Sequence, residues 1–392
     1  MRVRRPWARW IESELSERRS PLPVRRVLII GGGIAGLTAA VALRGRGHDV
    51  EVLERQREWP AVGWGLSLTG PALRALRSIG LERRCAEAGF GIDGINNCDV
   101  RRTLLHEVLP PSLLGPGEPI MVGIGRPALS RALREAAETA GATLNLGAQV
   151  TGIEESADSV TAVLADGTRK RADLVVAADG VNSATRAAIG IADTPAFLGQ
   201  AVWRTTVPRP VWADRLTTFN AARHSSGIIP ISDRDAYIFT TQITPERTPR
   251  PDADLAAGMR ELLAPLEGEM AAIRDGIVDS ERIVRRAVLG LLVDGPWHRG
   301  RVVLIGDAAH TCAPHMVSGA ALAVEDAVVL AEELEIGATL EESLTHFWQR
   351  RLERARLVVD AAQAMVDLEF EHRYAEEHEV QGRAFAALAT EA

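Results

Sequence analysis

Val27-Leu28-Ile29-Ile30-Gly31-Gly32-Gly33-Ile34-Ala35-Gly36-Leu37 is the stretch whose reading decides the fold. A short apolar run enters a glycine-rich turn. The alanine- and leucine-rich segment Leu37–Arg44 reads as a helix, and Val50–Leu53 reads as the next strand. The turn fits G-x-G-x-x-G through Gly31, Gly33 and Gly36. The first glycine permits the tight turn, the second the close approach of a pyrophosphate, and the third close packing of helix on strand. A helix opening at Ile34 and Ala35 presents unpaired N–H groups and the positive end of its dipole to an anion. Glu54 ends the second strand, 18 residues beyond Gly36, where a carboxylate can accept bonds from ribose hydroxyls. A glutamate followed by Arg55 points to an adenosine with a free 2′-hydroxyl.

Working outward, Leu73–Ile79 and Ala128–Ala140 read as helices, the second closed by Gly141. Gln149–Glu154, Ser159–Leu164 and Leu174–Ala177 read as strands, with a hairpin turn at Asp166-Gly167. Between Phe197 and Arg286 the aromatic residues Trp203, Trp212, Phe219, Tyr237 and Phe239 concentrate among strand-like stretches. Aromatics are only 4% of the chain, so this clustering points to a sheet covering a pocket. Beyond Leu330 the pattern is helical, with Leu344, Phe347, Trp348, Arg351 and Leu352 at helical spacing.

Two further motifs follow strands. The first is Ala177-Ala178-Asp179-Gly180-Val181-Asn182-Ser183-Ala184-Thr185-Arg186. The second, Val302-Val303-Leu304-Ile305-Gly306-Asp307-Ala308-Ala309-His310, is followed by Pro314 and Gly319 and then by a helix containing Glu325-Asp326. There a strand delivers Asp307 to a turn, where its carboxylate can accept a bond from a sugar-like hydroxyl. The helix starting near Gly319 aims its N–H groups at the same place.

In order and approximate spacing, the three motifs together resemble the class A flavoprotein monooxygenases of the para-hydroxybenzoate hydroxylase type. The resemblance covers roughly Arg25 to Arg356 and includes Gln349–Arg356 on the late helix. It implies an α/β fold: a Rossmann-like FAD-binding domain interleaved with a β-sheet-rich substrate domain, and a long C-terminal helix. It places FAD on Gly31, Gly33, Ile34, Ala35, Gly36, Glu54, Arg55 and Val150. Arg126, in Gly-Arg-Pro-Ala-Leu, matches the family's flavin-contacting arginine. Asp179 and Gly180 match the motif linked to FAD and NAD(P)H. Asp307 matches the ribityl-binding aspartate, and Pro314, Gly319 and Ala320 complete the set. After Pro314 the family often reads x-x-Gly-Gln-Gly, whereas this chain reads His315-Met316-Val317-Ser318-Gly319. Val317 replaces the first glycine and Ser318 the glutamine, in a loop that lies beside the reactive face of the flavin in the family.

The implied activity is hydroxylation of a small aromatic or heteroaromatic, phenol-like substrate through a flavin C4a-hydroperoxide. O2 is the oxidant and NADPH or NADH a transient co-substrate. For the substrate end, His224, Tyr237 and His315 are candidate bases, and Arg204 is a candidate partner for a substrate carboxylate. His48, His346, His372 and His378 read as surface residues. Asp307, His310, Cys312 and His315 include metal-ligand types, but the flavin reading uses the same segment and no metal is expected. Other flavin chemistry on the same fold (an epoxidase, a reductase, a halogenase) and a catalytically lapsed FAD-binding module are the alternatives. The halogenase reading has only Lys170 to offer as its catalytic lysine.

Composition bounds the rest. A chain of 392 residues is long enough for two or three domains of about 150 residues each. The expected division is an arm over 1–24, an FAD-binding domain over 25–196 with sheet insertions near 95–120, and a substrate domain over 197–286. A second part of the FAD-binding domain then spans 287–335, and a helical region 336–392. A net charge of −7 argues against nucleic-acid binding, which needs a basic face. Three scattered cysteines, Cys85, Cys98 and Cys312, fit a reducing cytoplasm. No stretch reaches the roughly 18 apolar residues of a transmembrane helix. A monomer or homodimer is expected. Lys170 is the single lysine beside 44 arginines, a bias that a GC-rich genome would explain. Residues 1–26 carry eight arginines, and Trp7, Trp10, Ile11 and Leu15 could form a short amphipathic helix there.

Overall fold

The computed structural model describes residues 26–59, 64–110, 112–221, 224–244, 247 and 251–392. The arginine-rich arm lies outside the described residues. The elements that position the site are β1 (Arg26–Ile30), α1 (Ile34–Arg44), β2 (Asp49–Glu54), β3 (Thr143–Leu146), β4 (Leu174–Ala177), β5 (Ala196–Pro208), β6 (His224–Pro230), β7 (Asp235–Ile243), β8 (Val284–Leu292), β9 (Val302–Leu304), α2 (Gly319–Ile336), α3 (Leu340–Phe370) and α4 (Tyr374–Leu388).

Four parallel pairings build the first sheet, in the order β9-β4-β1-β2-β3, with the short strand His298–Arg299 antiparallel at its edge. Its central strand β1 is buried on both faces, which is why Val27–Ile30 is an unbroken apolar run rather than an alternating one. All three glycine-bearing motifs leave the same end of this sheet, following β1, β4 and β9.

A second sheet of eight strands runs from His310–Thr311 through β8, β5, β7 and β6 to Leu216–Ala221, Ile95–Cys98 and Leu104–Val108. The last two strands come from the first third of the chain, and His310–Thr311 is the tail of the third motif. Side chains alternate across this sheet, as the period of two requires. Trp203 and Phe219 point to one face and are fully buried with Leu255, Met259 and Leu263. Arg204, Tyr237 and Phe239 point to the other face. The aromatic cluster is thus divided: Tyr237 and Phe239 face a pocket, while Trp203 and Phe219 are ordinary core.

Helix α3, 31 residues long, starts with a capping box: Glu342 N–H donates to Thr339 Oγ1 (3.2 Å) and Thr339 N–H to the Glu342 carboxylate (3.1 Å). It locks onto α2 through ions without access to solvent. Arg351 donates to Asp326 Oδ1 (2.9 Å) and Glu325 Oε2 (3.0 Å), and Arg354 donates to both oxygens of Glu325 (2.7 and 2.8 Å). The other oxygen of Asp326 accepts Gly306 N–H (2.8 Å) and meets His310 Nε2 (2.7 Å). Burial works against this carboxylate, but His310, Arg351 and the Gly306 N–H outweigh it and hold its pKa at about 2.

Backbone strain sits at the turn before α2. Val317 has φ +51° and ψ +19°, the left-handed region that a β-branched residue rarely enters. It closes the short 3-10 turn Pro314–Met316, the kind of position a glycine takes without cost.

Two outcomes follow from this packing. Arg351→Met should destabilise the protein by about 3–5 kcal/mol, because it leaves buried carboxylates short of a partner. Urea unfolding at fixed protein concentration measures this, and a loss under about 1 kcal/mol would mean the network is not structural. Val317→Gly should stabilise by about 1 kcal/mol, the strain relieved less the entropy a glycine adds to the unfolded chain.

Candidate functional site

One cavity of about 690 Å³ runs from the glycine turn after β1 to the inner face of the second sheet. At one end Gly33, Ile34 and Ala35 form its wall. A Cβ added at Gly33 would meet nothing within 4 Å, so the backbone here is open to a ligand. Gly31 and Gly36 act behind the wall. Gly31 has φ +107°, and a Cβ there would lie 2.3 Å from the Ala178 carbonyl oxygen. A Cβ on Gly36 would lie 2.0 Å from the Gly31 carbonyl oxygen. These two glycines let the three elements close up; the third lets something else in. Glu54 holds the turn from below, accepting Gly32 N–H (2.8 Å) and Gln56 N–H (2.8 Å). Each oxygen keeps acceptor capacity for a hydroxyl.

The second motif is braced from within. Asp179 accepts from Ser183 Oγ (2.6 Å) and Thr185 N–H (3.0 Å), which turns it inward and leaves Gly180, at φ +83°, on the cavity wall. Arg186 is buried and donates to the carbonyls of Val181 (3.0 Å), Asp193 (3.0 Å) and Ala308 (2.9 Å). It therefore ties the second motif to the third.

From the third motif, Asp307, Pro314, Gly319 and Ala320 line the cavity. Burial raises the Asp307 pKa, opposed by His310 and Arg126. Helix α2 begins at Gly319, Ser318 before it makes no side-chain cap, and its first N–H groups and dipole face the cavity. Arg126 enters from the opposite side, its guanidinium 5.0 Å from the centre of the Trp64 ring. Arg204, Arg247 and Arg286 also line the cavity. Arg55 is exposed beyond Glu54, and Val150 packs against the cluster of Leu28, Ile30 and Leu53; neither belongs to the cavity wall.

At the far end are Tyr237, Phe239, Ile229, Met365 and His315. Burial pushes the Tyr237 hydroxyl up to about 12 against the pull of Arg204, so it carries its proton at neutral pH. His315 Nε2 is bonded to Glu369 Oε2 (2.8 Å). Burial opposes the imidazolium, but this bond and the charge of Glu369 outweigh it and raise His315 above its ordinary value. Glu369 also accepts from Gln200 Nε2 (3.1 Å), Ser225 N–H (3.0 Å) and the Thr241 hydroxyl. Its pKa falls to about 2 as these donors overcome its burial. His224 opens β6, and its side chain lies outside the described residues.

Several cavity-lining side chains escaped the sequence reading. Glu377, His378 and Gln381 of α4 line the cavity, and Gln381 Nε2 donates to the His315 carbonyl (3.0 Å). His378 is half-buried rather than exposed: burial lowers its pKa, and its ring stacks on His106. His48 is buried too, because it sits under the chain reversal between α1 and β2. Among the described residues no three His, Cys, Asp or Glu side chains are grouped to hold a metal ion. His310 turns to Asp326 and His315 to Glu369, which separates two members of the candidate metal set. Lys170 is paired with Glu51.

The open Gly33 backbone, the Asp307 carboxylate and the uncapped start of α2 fit a flavin dinucleotide along one wall of the cavity. Known proteins agree. The family model described as FAD binding domain matches residues 25–362. The chain is 35% identical to the aurachin C monooxygenase/isomerase of Stigmatella aurantiaca, over 84% of this chain and 85% of that one. It is 32% identical to the 2-heptyl-3-hydroxy-4(1H)-quinolone synthase of Pseudomonas aeruginosa, over 85% and 86%. Among solved structures, Klebsiella pneumoniae HpxO complexed with FAD and uric acid superposes with a TM-score of 0.82 at 25% identity, covering 93% of this chain and 95% of that one. The chain belongs to the FAD-binding class A flavoprotein monooxygenases and is an FAD-dependent enzyme of that family.

Proposed function

We propose that this monooxygenase hydroxylates a small phenol-like or N-heteroaromatic ring, with NADPH or NADH as a transient reductant and O2 as oxidant. The observation that carries the reading is the single cavity: the walls fitted to the cofactor and the apolar, aromatic face of the second sheet enclose one space. A ring held there meets the cofactor directly. Both curated relatives named above, by their names, act on or produce quinolone-type or aurachin-type compounds.

When bound, the flavin supplies the redox chemistry, accepting electrons from the nicotinamide and activating dioxygen. The chain's own residues set the conditions. Ile229, Phe239 and Met365 contribute apolar surface to the far end, which limits water at the reacting ring. Tyr237, protonated, donates a hydrogen bond to a ring oxygen. Arg126, Arg204 and Arg286 hold positive potential around the space, favouring anionic forms of cofactor and substrate. Asp307 accepts hydroxyl bonds from the sugar-like chain of the cofactor, and the start of α2 faces its ring system.

Asp307→Ala should lower FAD retention about tenfold or more, since a bond to a charged acceptor is worth about 1.5–3 kcal/mol. Flavin absorbance per protein after gel filtration reads this out, and full retention would remove Asp307 from the site. A panel of phenols, hydroxypyridines and 4-quinolones should contain members that raise NADPH or NADH consumption and gain one oxygen atom by mass. Consumption indifferent to every ring, or products without added oxygen, would overturn the proposed reaction.

A further inference from the structure

We propose that Glu377, on the last helix, is the proton acceptor of the reaction, taking the proton of an ionisable ring O–H or N–H from the substrate bound in the cavity. The assignment rests on the reading of that cavity as a site of aromatic hydroxylation. In the step, the O–H or N–H bond breaks, the proton passes to a Glu377 carboxylate oxygen, and the electron pair stays on the ring. Nothing is oxidised or reduced, and the ring becomes a better nucleophile toward an electrophilic oxygen.

Geometry singles this residue out. Glu377 lines the cavity, is 6% exposed, and its Oε2 is buried with no hydrogen-bond partner among the described residues. A buried carboxylate without donors is costly unless a ligand supplies one. The second buried carboxylate nearby, Glu369, is the opposite case, with four donors and no capacity to spare for substrate. The other candidates fail on chemistry. Tyr237 keeps its own proton, the bond to Glu369 favours His315 as the imidazolium, which has no lone pair to accept with, and Arg204 is a cation. His315 Nδ1 is also buried without a partner. Two polar atoms of cavity-lining residues are therefore buried without partners, one on a carboxylate and one on an imidazole, and a small side-chain rotation would bring them to a bound ring. A ring bearing an acidic O–H or N–H and a second polar atom would satisfy both.

The charged surroundings suit the role. His315 faces Glu377 from the turn before α2, and Glu369 faces it from α3. Tyr374 and His378 lie on its own helix, and Arg204 acts on His315 from β5. Burial raises Glu377 to about 7, with His315 pulling down and Glu369 pushing up. Below about pH 7 the acid is protonated and cannot accept; above it the carboxylate can.

The test uses FAD-loaded full-length enzyme and a ring that shifts the flavin spectrum and stays neutral in solution at pH 7. In wild type, turnover of that ring should rise through about pH 7 as the Glu377 carboxylate forms. Glu377→Gln should keep its FAD and its flavin shift, lose this ionisation from the pH profile, and turn over about 10²–10⁴-fold more slowly. Glu377→Asp, with the carboxylate restored, should recover part of the rate and of the profile. Unchanged turnover and pH profile in folded, flavin-loaded Glu377→Gln would overturn the assignment alone. Loss of the ionisation in His378→Gln but not in Glu377→Gln would do the same and move the role to His378. If wild type shows no flavin shift with para-nitrophenol, 4-quinolones or hydroxypyridines, the aromatic reading itself falls, and Glu377 with it.

Discussion

The carboxylate of Asp326 is the constraint on which the rest of the site depends. One oxygen takes Gly306 N–H and His310, the other takes Arg351. A group with no solvent access and three donors has one low-energy position, and so do the donors. Gly306 and His310 flank Asp307, so the pose of the cavity's acidic residue is set by a bond made one helix away. Arg351 carries the same constraint into α3. Glu369 lies 18 residues further along that helix, about 27 Å at 1.5 Å per residue, and there accepts four donors from the second sheet and His315. A single helix thus holds the glycine-bearing motifs at one point and the second sheet at another, which sets the width of the cavity between them.

Charge in the cavity follows from this frame. Asp326 and Glu369 are fully paired, and their pKa values are held low. The groups left with free capacity are those on the cavity wall: arginines from separate elements, Asp307, and Glu377. Two phosphates of a dinucleotide would meet backbone N–H groups at Gly33 to Ala35, so the arginines remain available to the ring systems. The arginine bias of the composition conceals this, because Arg126, Arg204, Arg247 and Arg286 look no different in sequence from the forty others.

What was legible in the sequence was local. The glycine turn, the Asp-Gly segment and the Gly-Asp-Ala-Ala-His segment each join strand to turn within a dozen residues, and each reads from its own neighbours. The α/β fold and the family followed from their order. The illegible part was long-range. Arg186 reaches Ala308 across 122 positions, and Glu369 reaches Gln200 across 169. Glu377 and His378 sit between Glu376 and Glu379 in a run that reads as a solvated helical face, and only the docking of α4 brings them to the cavity. The departure at Val317 was visible as a missing glycine, but its left-handed backbone was not. The aromatic clustering was visible too, yet alternation along the strands sent half of it to the opposite face.

In the proposed reaction, the cavity brings the flavin and an aromatic ring together for transfer of a single oxygen atom. Turnover under isotopically labelled dioxygen, followed by product mass spectrometry, reveals where that atom comes from. One labelled oxygen is expected in the ring hydroxyl, and none when the label is in water. A product labelled from water, or one that carries no new oxygen, rules the reaction out.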